Sequence, residues 1–375
     1  MIKTFSFLFC VFILTSVTAR TDSSALSFDT LTVIGVGDIM MGTDYPSAIY
    51  LPPGNDCKPL LHGVSAVLRD ADITFGNLEG TFAGDKGNPK KCKDTTKCFV
   101  FRMPDHYVHC LVDGGFDMVS VANNHANDFG ASGKRQTEWV LESHGIAYAG
   151  SHTSPAVIVV KDGIRYGLIA FAPNLGCYGL DNLDAAAWMV DSLRQRCDIL
   201  IVSFHGGAEG ADHQHVTRRN EIYLASPPRR VYAFAHRVID SGADIVFGLG
   251  ICKARNVETY KDRFIIYSLG NFCTYRRFNL RGPNGIAPII KVQLTPAGRF
   301  LKGEIIPVNQ PGSGGVSLDP RKRIISKLQE LTRTDFPEVP LDIDQKGIIT
   351  TPKDTITIVQ EKVTIDISNQ FSYFR

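Results

Sequence analysis

A chain of 375 residues with 44% hydrophobic side chains carries enough apolar mass for one large α/β domain or two smaller ones, and its composition argues against a disordered chain. Its formal charge of +2 gives no electrostatic reason to expect nucleic acid or an anionic membrane as partner. Short pairs such as Arg218-Arg219 and Arg276-Arg277 read as solvated surface.

The first elements along the chain form an address. Lys3 precedes an almost unbroken apolar run, Phe5 to Leu14, and Val17-Thr18-Ala19 supplies small residues suited to cleavage. The run is too short to span a bilayer, so residues 1–19 are predicted to be a signal peptide and the mature chain to start near Arg20. An exported, soluble protein is expected.

Leu31 to Gly37 (LTVIGVG) then reads as a buried strand, Ala71 to Phe75 (ADITF) as a second, and Gly115 to Ala122 contains a third. Ala156 to Ala172 places two apolar runs around Lys161-Asp162-Gly163, the pattern of a hairpin. Asp198 to Phe204 (DILIVSF) is a continuous apolar run, as expected of a strand covered on both faces. Asp244 to Phe247 and Arg263 to Leu269 continue the series. Helices are predicted between them over Lys134 to His144, Asp184 to Arg196, and from Pro228 to the closing Gly242. Strands alternating with helices predict an α/β fold, with helices packed on sheet faces. Beyond it, Ile289 to Leu294 and Leu301 to Val308 read as paired strands, Pro311 to Gly315 as a break, Ile324 to Leu331 as a helix, and Asp354 to Ile367 as a strand pair. The predicted organisation is a core domain over 20–310 with a C-terminal extension over 311–375 packed on or beside it.

Removal of Cys10 with the signal would leave eight cysteines in an oxidising compartment, where disulfides form. Cys92 and Cys98 flank a short Lys-rich loop and are the expected local pair. The others are open between disulfides and buried thiols.

Polar clusters follow the predicted strands. Asp38 follows the first, Asn77-Leu78-Glu79 the second, Asn123-Asn124-His125-Ala126-Asn127-Asp128 the third, His205 to Glu209 the long apolar strand, and Gly270-Asn271 the segment Tyr267-Ser268-Leu269. Sites in α/β sheets form at the carboxyl ends of strands, so these groups are expected to converge on one edge. Carboxylate and amide oxygens together with imidazole nitrogen suit a borderline divalent ion such as Mn²⁺, Fe²⁺ or Zn²⁺.

The blocks VGDIMMG (36–42), FGNLEG (75–80), VANNHANDFG (121–130), SFHGGAEG (203–210) and YSLGNF (267–272) resemble the signature blocks of the CapA-type capsule-synthesis proteins, a family associated with bacterial capsule and poly-γ-glutamate synthesis and similar in fold to calcineurin-like metallophosphoesterases. The resemblance implies a layered sandwich of mixed β-sheets flanked by helices. It implies Asp38, Glu79, Asn124 and His205 as metal ligands, and His125 and Glu209 as catalytic groups, with His125 the acid–base imidazole. Asn123, Asn127, Asp128 and Asn271 would contact substrate. It further implies a possible metal-dependent hydrolase in the periplasm or at the surface of a bacterium, acting on a phosphoester or envelope polymer in peripheral association with the membrane synthesis machinery; as the charge already indicates, no nucleic acid is expected. One block departs: Gly248-Leu249-Gly250-Ile251-Cys252 stands where the family carries Gly-His-x-Pro-His. Leu249 cannot bind metal, and Cys252 could do so only as a thiolate. His213 and His215 lie where replacement nitrogens could be supplied. The departure favours a second reading, a binding or assembly protein that keeps the pocket without full catalysis.

Overall fold

Four β-branched side chains among Leu31, Thr32, Val33, Ile34, Gly35 and Val36 favour a pleated, two-faced strand over a helix, and Leu31–Met40 forms β1. The computed structural model describes residues 30–92, 98–208, 213–221 and 230–352. After β1 come α1 (Lys58–His62), α2 (Ser65–Leu68), β2 (Ile73–Leu78), α3 (Val108–Gly114), β3 (Met118–Ser120), α4 (Gly130–Ser143) and β4 (Ala147–Ala149). They are followed by β5 (Ala156–Lys161), β6 (Ile164–Phe171), α5 (Leu183–Arg194), β7 (Ile199–His205), α6 (Val231–Asp240), β8 (Ile245–Leu249), β9 (Val257–Tyr260) and β10 (Arg263–Ile266). The last described elements are β11 (Asn271–Thr274), β12 (Ile286–Leu294), β13 (Phe300–Asn309), β14 (Ser317–Leu318), α7 (Arg323–Asp335), β15 (Asp342–Ile343) and β16 (Ile348–Thr350).

Among the described residues these strands build two mixed sheets. The first runs β15-β16-β13-β12-β1-β2-β3-β4, with β11 also paired to β1 and β14 to β13. The second runs β5-β6-β7-β8-β10-β9. Strands β1 to β4 are mutually parallel, as are β6, β7, β8 and β10, so their carboxyl ends share an edge within each sheet.

Alternation along the strands decides what each face covers. Leu31 and Val33 of β1 meet Ile199, Ile201 and Phe247 of the second sheet in one apolar cluster, where the Phe75 and Phe247 rings stack with centroids 5.3 Å apart. Ile34 and Val36 face the other way, onto Leu61, Leu68, Leu111 and Leu141 of α1 to α4. On the far side of the second sheet, Leu200, Val202 and Val246 pack against Val190, Leu193, Phe234 and Val238 of α5 and α6. The result is four layers, helix–sheet–sheet–helix, the predicted sandwich of mixed sheets flanked by helices. Each fully buried Ile, Val or Phe removes about 1.5–3 kcal/mol of apolar exposure from water.

Several boundaries differ from expectation for identifiable reasons. Helix α4 begins at Gly130, before the predicted Lys134, because its first buried positions are Gly133 and Thr137, which carry no apolar signal. Strand β2 runs on to Leu78 and so includes Asn77. The described part of the C-terminal extension, to residue 352, packs on the core: α7 buries Ile324, Ile325 and Leu328, and β16 pairs with β13. The predicted signal peptide, the strand pair at Asp354 to Ile367 and the start of the helix near Pro228 lie outside the described residues. Cys92 and Cys98 form the expected disulfide, and Cys57 pairs with Cys110, joining α1 to α3. Cys177, Cys197, Cys252 and Cys273 form none.

Asp198, just before β7, accepts three hydrogen bonds from Arg165 of β6. Chiefly through the Arg165 side-chain bond, its carboxyl is held down at about 2. A depressed carboxylate stabilises the fold above its unfolded value, near ~4, and that contribution is lost as pH falls through the folded value. Asp198→Asn should therefore flatten the decline of stability between about pH 4 and pH 2, by under about 1 kcal/mol because the pair is partly exposed. Urea unfolding across a pH series checks this, and an unchanged acid limb would refute it.

Candidate functional site at the shared strand edge

Backbone register assembles a polar row across the first sheet. Asp38 of β1 pairs with Asn77 of β2 on one side and Asn271 of β11 on the other, and Asn77 pairs with Ser120 of β3. All four are buried. The chain closes tightly here: a Cβ on Gly37 would lie 1.7 Å from the Gly270 carbonyl oxygen, and Asp38 N–H donates to that same oxygen at 2.9 Å. Only glycine permits that approach. Asn77 Nδ2 donates to Asp38 Oδ1 at 2.8 Å and to Glu79 Oε2 at 2.6 Å, so one amide nitrogen bridges two buried carboxylates. Its Oδ1 accepts from Asn123 Nδ2 at 3.1 Å, and Asn123 Nδ2 also reaches the Leu78 carbonyl at 2.8 Å.

The second sheet contributes His205, the last residue of β7. Its Nε2 lies 3.4 Å from Glu79 Oε1. Burial alone would push the Glu79 carboxyl up, but the His205 imidazole, His125 and the Asn77 amide outweigh burial, and the group sits below the usual carboxylate range. In register beside His205 stands Leu249, so the wall at that point is apolar. Gly250, at φ +104°, lies against the imidazole, where a Cβ would be 2.9 Å from Nδ1.

His125 is fixed by a second network. Its Nδ1 lies 2.8 Å from Asp128 Oδ2, and its backbone N–H donates to Asn123 Oδ1 at 3.0 Å. Asp128 is fully buried, accepts from Phe101 N–H at 2.7 Å, and pairs with Lys90 Nζ at 2.5 Å. With the carboxylate accepting, Nδ1 carries the proton and Nε2 is the lone-pair nitrogen. The Phe101 ring covers the imidazole, centroid to centroid 4.3 Å, and Phe278 stacks on Phe101 at 5.2 Å.

The structure thus brings together Asp38, Glu79, Asn123, His125, Asp128 and His205, with Asn271 at the end of the row. Asn271 Nδ2 donates to the Asn284 carbonyl, and its buried Oδ1 has no partner among the described residues. Asn124 is exposed and outside the hydrogen-bonded cluster, so the amide that joins it is the preceding Asn123. Asn127 is half-buried and borders a cavity with Lys134 and His152. Glu209 lies outside the described residues. His215 pairs instead with Asp335, His213 is exposed, and Cys252 is half-buried at φ 58°. Arg277, read as surface, is half-buried between the Tyr50 and Phe99 rings.

Sequence reasoning did not single out Asn77, Lys90 or the pair Glu221–Arg255. Arg255 is buried and donates to both Glu221 oxygens, at 2.9 and 3.0 Å, while Glu221 also accepts from Ala208 N–H at 2.9 Å. This pair braces the turn Gly206–Ala208 immediately after His205.

The predicted divalent metal can be tested against these donors. Asp38, Glu79 and His205 supply the right atom types, but among the described residues no three His, Cys, Asp or Glu side chains converge to hold an ion. The position between the two carboxylates is taken by a hydrogen-bearing amide nitrogen. As arranged, the set does not fit a metal centre, and Leu249 adds no donor.

The family model described as bacterial capsule synthesis protein PGA_cap matches residues 32–276. The capsule biosynthesis protein CapA of Bacillus anthracis is 27% identical over 262 residues, covering 64% of this chain and 59% of that protein. The PGA biosynthesis protein CapA of Bacillus subtilis is 28% identical over 262 residues, covering 66% of this chain and 64% of that protein. The match therefore spans about three fifths of the length of these relatives. Among solved structures, a calcineurin-like phosphoesterase of Bacillus subtilis is similar at 13% identity with a TM-score of 0.44, covering 82% of this chain and 97% of that one.

Proposed function

We propose a function on the premise that this chain belongs to the bacterial capsule synthesis protein family. It serves the synthesis of a capsule or poly-γ-glutamate-like envelope polymer, outside the cytoplasm, in peripheral association with the membrane synthesis machinery. The relatives named for capsule and PGA biosynthesis support the polymer. The apolar run before Val17-Thr18-Ala19 supports export.

One observation carries the working site: the His125–Asp128 pair stands beside the Glu79–His205 pair at the shared strand edge. Asp128 holds Nδ1–H, which leaves Nε2 to take or give a proton. In this reading His125 Nε2 takes a proton from the water that attacks a phosphoester or polymer linkage and passes it to the leaving atom as that bond breaks. Asn271 and Asn127 contact the substrate, and Glu209 assists. No step is assigned to a metal.

The test is turnover of a phosphoester and of poly-γ-glutamate by the purified protein. His125→Gln is expected to lower turnover by about 100-fold or more, measured at a temperature where the variant remains folded. Equal turnover by wild type and variant would remove His125 from the chemistry. A second reading, binding or assembly without catalysis, draws on Leu249 beside His205 and on the Asn77 amide between the carboxylates. It predicts that the protein retains polymer in equilibrium dialysis while neither substrate is turned over.

A further inference from the structure

The aromatic wall over His125 ends on an arginine. From His125 it passes to Phe101, then to Phe278 on one side and Phe99 on the other, where the Phe99 and Phe101 centroids lie 6.2 Å apart. The Arg277 guanidinium lies 5.0 Å from the Phe99 centroid and 4.8 Å from that of Tyr50. Its Nη2 donates to the Cys98 carbonyl at 3.4 Å, and its Nε is buried with no partner among the described residues.

Several cations of the preceding segments have carboxylate partners. Lys86 pairs with Asp85, Lys90 with Asp128 and Arg102 with Asp44. No carboxylate among the described residues pairs with Arg277. The backbone is unusual as well: Arg276 and Arg277 both adopt left-handed conformations, at φ 51° and 59°. Two successive non-glycine residues in that region are costly, and such strain persists where surroundings impose it, often at ligand sites. Here the Tyr275 N–H is anchored on the Met40 carbonyl and the Arg276 N–H on that of Ser313.

We propose that Arg277 is an anion-binding residue of this edge, taking one oxyanion group of the substrate, a carboxylate or a phosphate, while the substrate's adjoining part lies along the accessible rings Phe99 and Phe278, behind which the buried Phe101 covers His125. A guanidinium held between rings keeps its planar fork pre-organised for two parallel hydrogen bonds to such a group. A half-buried cation without a counter-charge gains more from an incoming anion than a solvated one does. The inference rests on the reading of this edge as the working site.

Calorimetric titration of the purified protein with inorganic phosphate and with glutarate tests it. Wild type is expected to bind at least one probe: phosphate alone assigns the subsite to a phosphoester, and glutarate alone to polymer carboxylates. Arg277→Gln should weaken that binding by about tenfold or more. Arg277→Lys should also weaken it, since an ammonium cannot reproduce the fork, and this variant decides the matter if Arg277→Gln melts early. Arg276→Gln, at an exposed residue, should bind as wild type does. No binding of either probe by wild type, or undiminished binding by both Arg277 variants, overturns the proposal. Undiminished binding together with turnover lost in His125→Gln would sink the subsite alone. Binding lost in Arg277→Gln with no turnover by wild type would sink the hydrolase reading alone.

Discussion

Replacing Arg255 with methionine should destabilise the fold by about 3–5 kcal/mol, because it strands a buried carboxylate without its counter-charge. Arg255 and Glu221 are both buried, and their two parallel hydrogen bonds exclude water from the junction. Arg255 also donates from Nε and Nη2 to the His213 carbonyl, so three segments lose their tie at once. The attraction within such a pair does not exceed the cost of burying both ions by much, whereas breaking it on one side leaves the full desolvation cost of the other. The double variant Arg255→Met, Glu221→Leu should therefore recover a large part of the loss. Urea unfolding midpoints at neutral pH measure both. A single variant that loses less than about 1 kcal/mol, or a double variant as unstable as the single, would contradict the assignment. Because Ala208 N–H also rests on Glu221, the single variant should loosen the turn behind His205, with faster amide exchange at Gly206 to Ala208.

The parts of this site legible in the sequence are those that follow long apolar runs. Phe204-His205 ends the all-buried β7, and Asp38 lies near the end of β1, so the transition from apolar to polar marks both. The displaced block was also legible, and register places Leu249 beside His205. Asn77 was named only within its cluster, because β2 is buried throughout and the shift in register between Gly35 and Asp38 is what sets Asn77 against Asp38. Asn123 and Asn124 are adjacent in a turn, where neither the period of a strand nor that of a helix says which amide points inward. Glu221 and Arg255 are 34 residues apart and joined only by tertiary folding. Short elements such as β4, β9 and β11 carry three or four residues each, too few for a periodic signal.

Asn77→Asp probes the polar row itself. The amide nitrogen of Asn77 satisfies one oxygen each of Asp38 and Glu79, and its positive edge lets two buried carboxylates lie close together. An aspartate there removes the donor and adds a third negative charge to a site that excludes water. Loss of the charge-assisted hydrogen bonds alone should cost about 2–4 kcal/mol with chelator present, and repulsion among the carboxylates adds to it. A divalent cation would then complete what the amide had supplied. Added Zn²⁺ or Mn²⁺ should raise the unfolding free energy of the variant, by about 2.7 kcal/mol at a hundredfold excess over its dissociation constant. Wild type should shift less, because its carboxylates are already bridged by a neutral donor. Adding Leu249→His should strengthen the response toward Zn²⁺ by placing an imidazole in register beside His205. If wild type is stabilised by metal as much as the variant, the amide yields its place readily and the polar row is a metal centre after all. If the variant alone responds, the substitution of an amide bridge for a cation is what separates this site from a metal-dependent one.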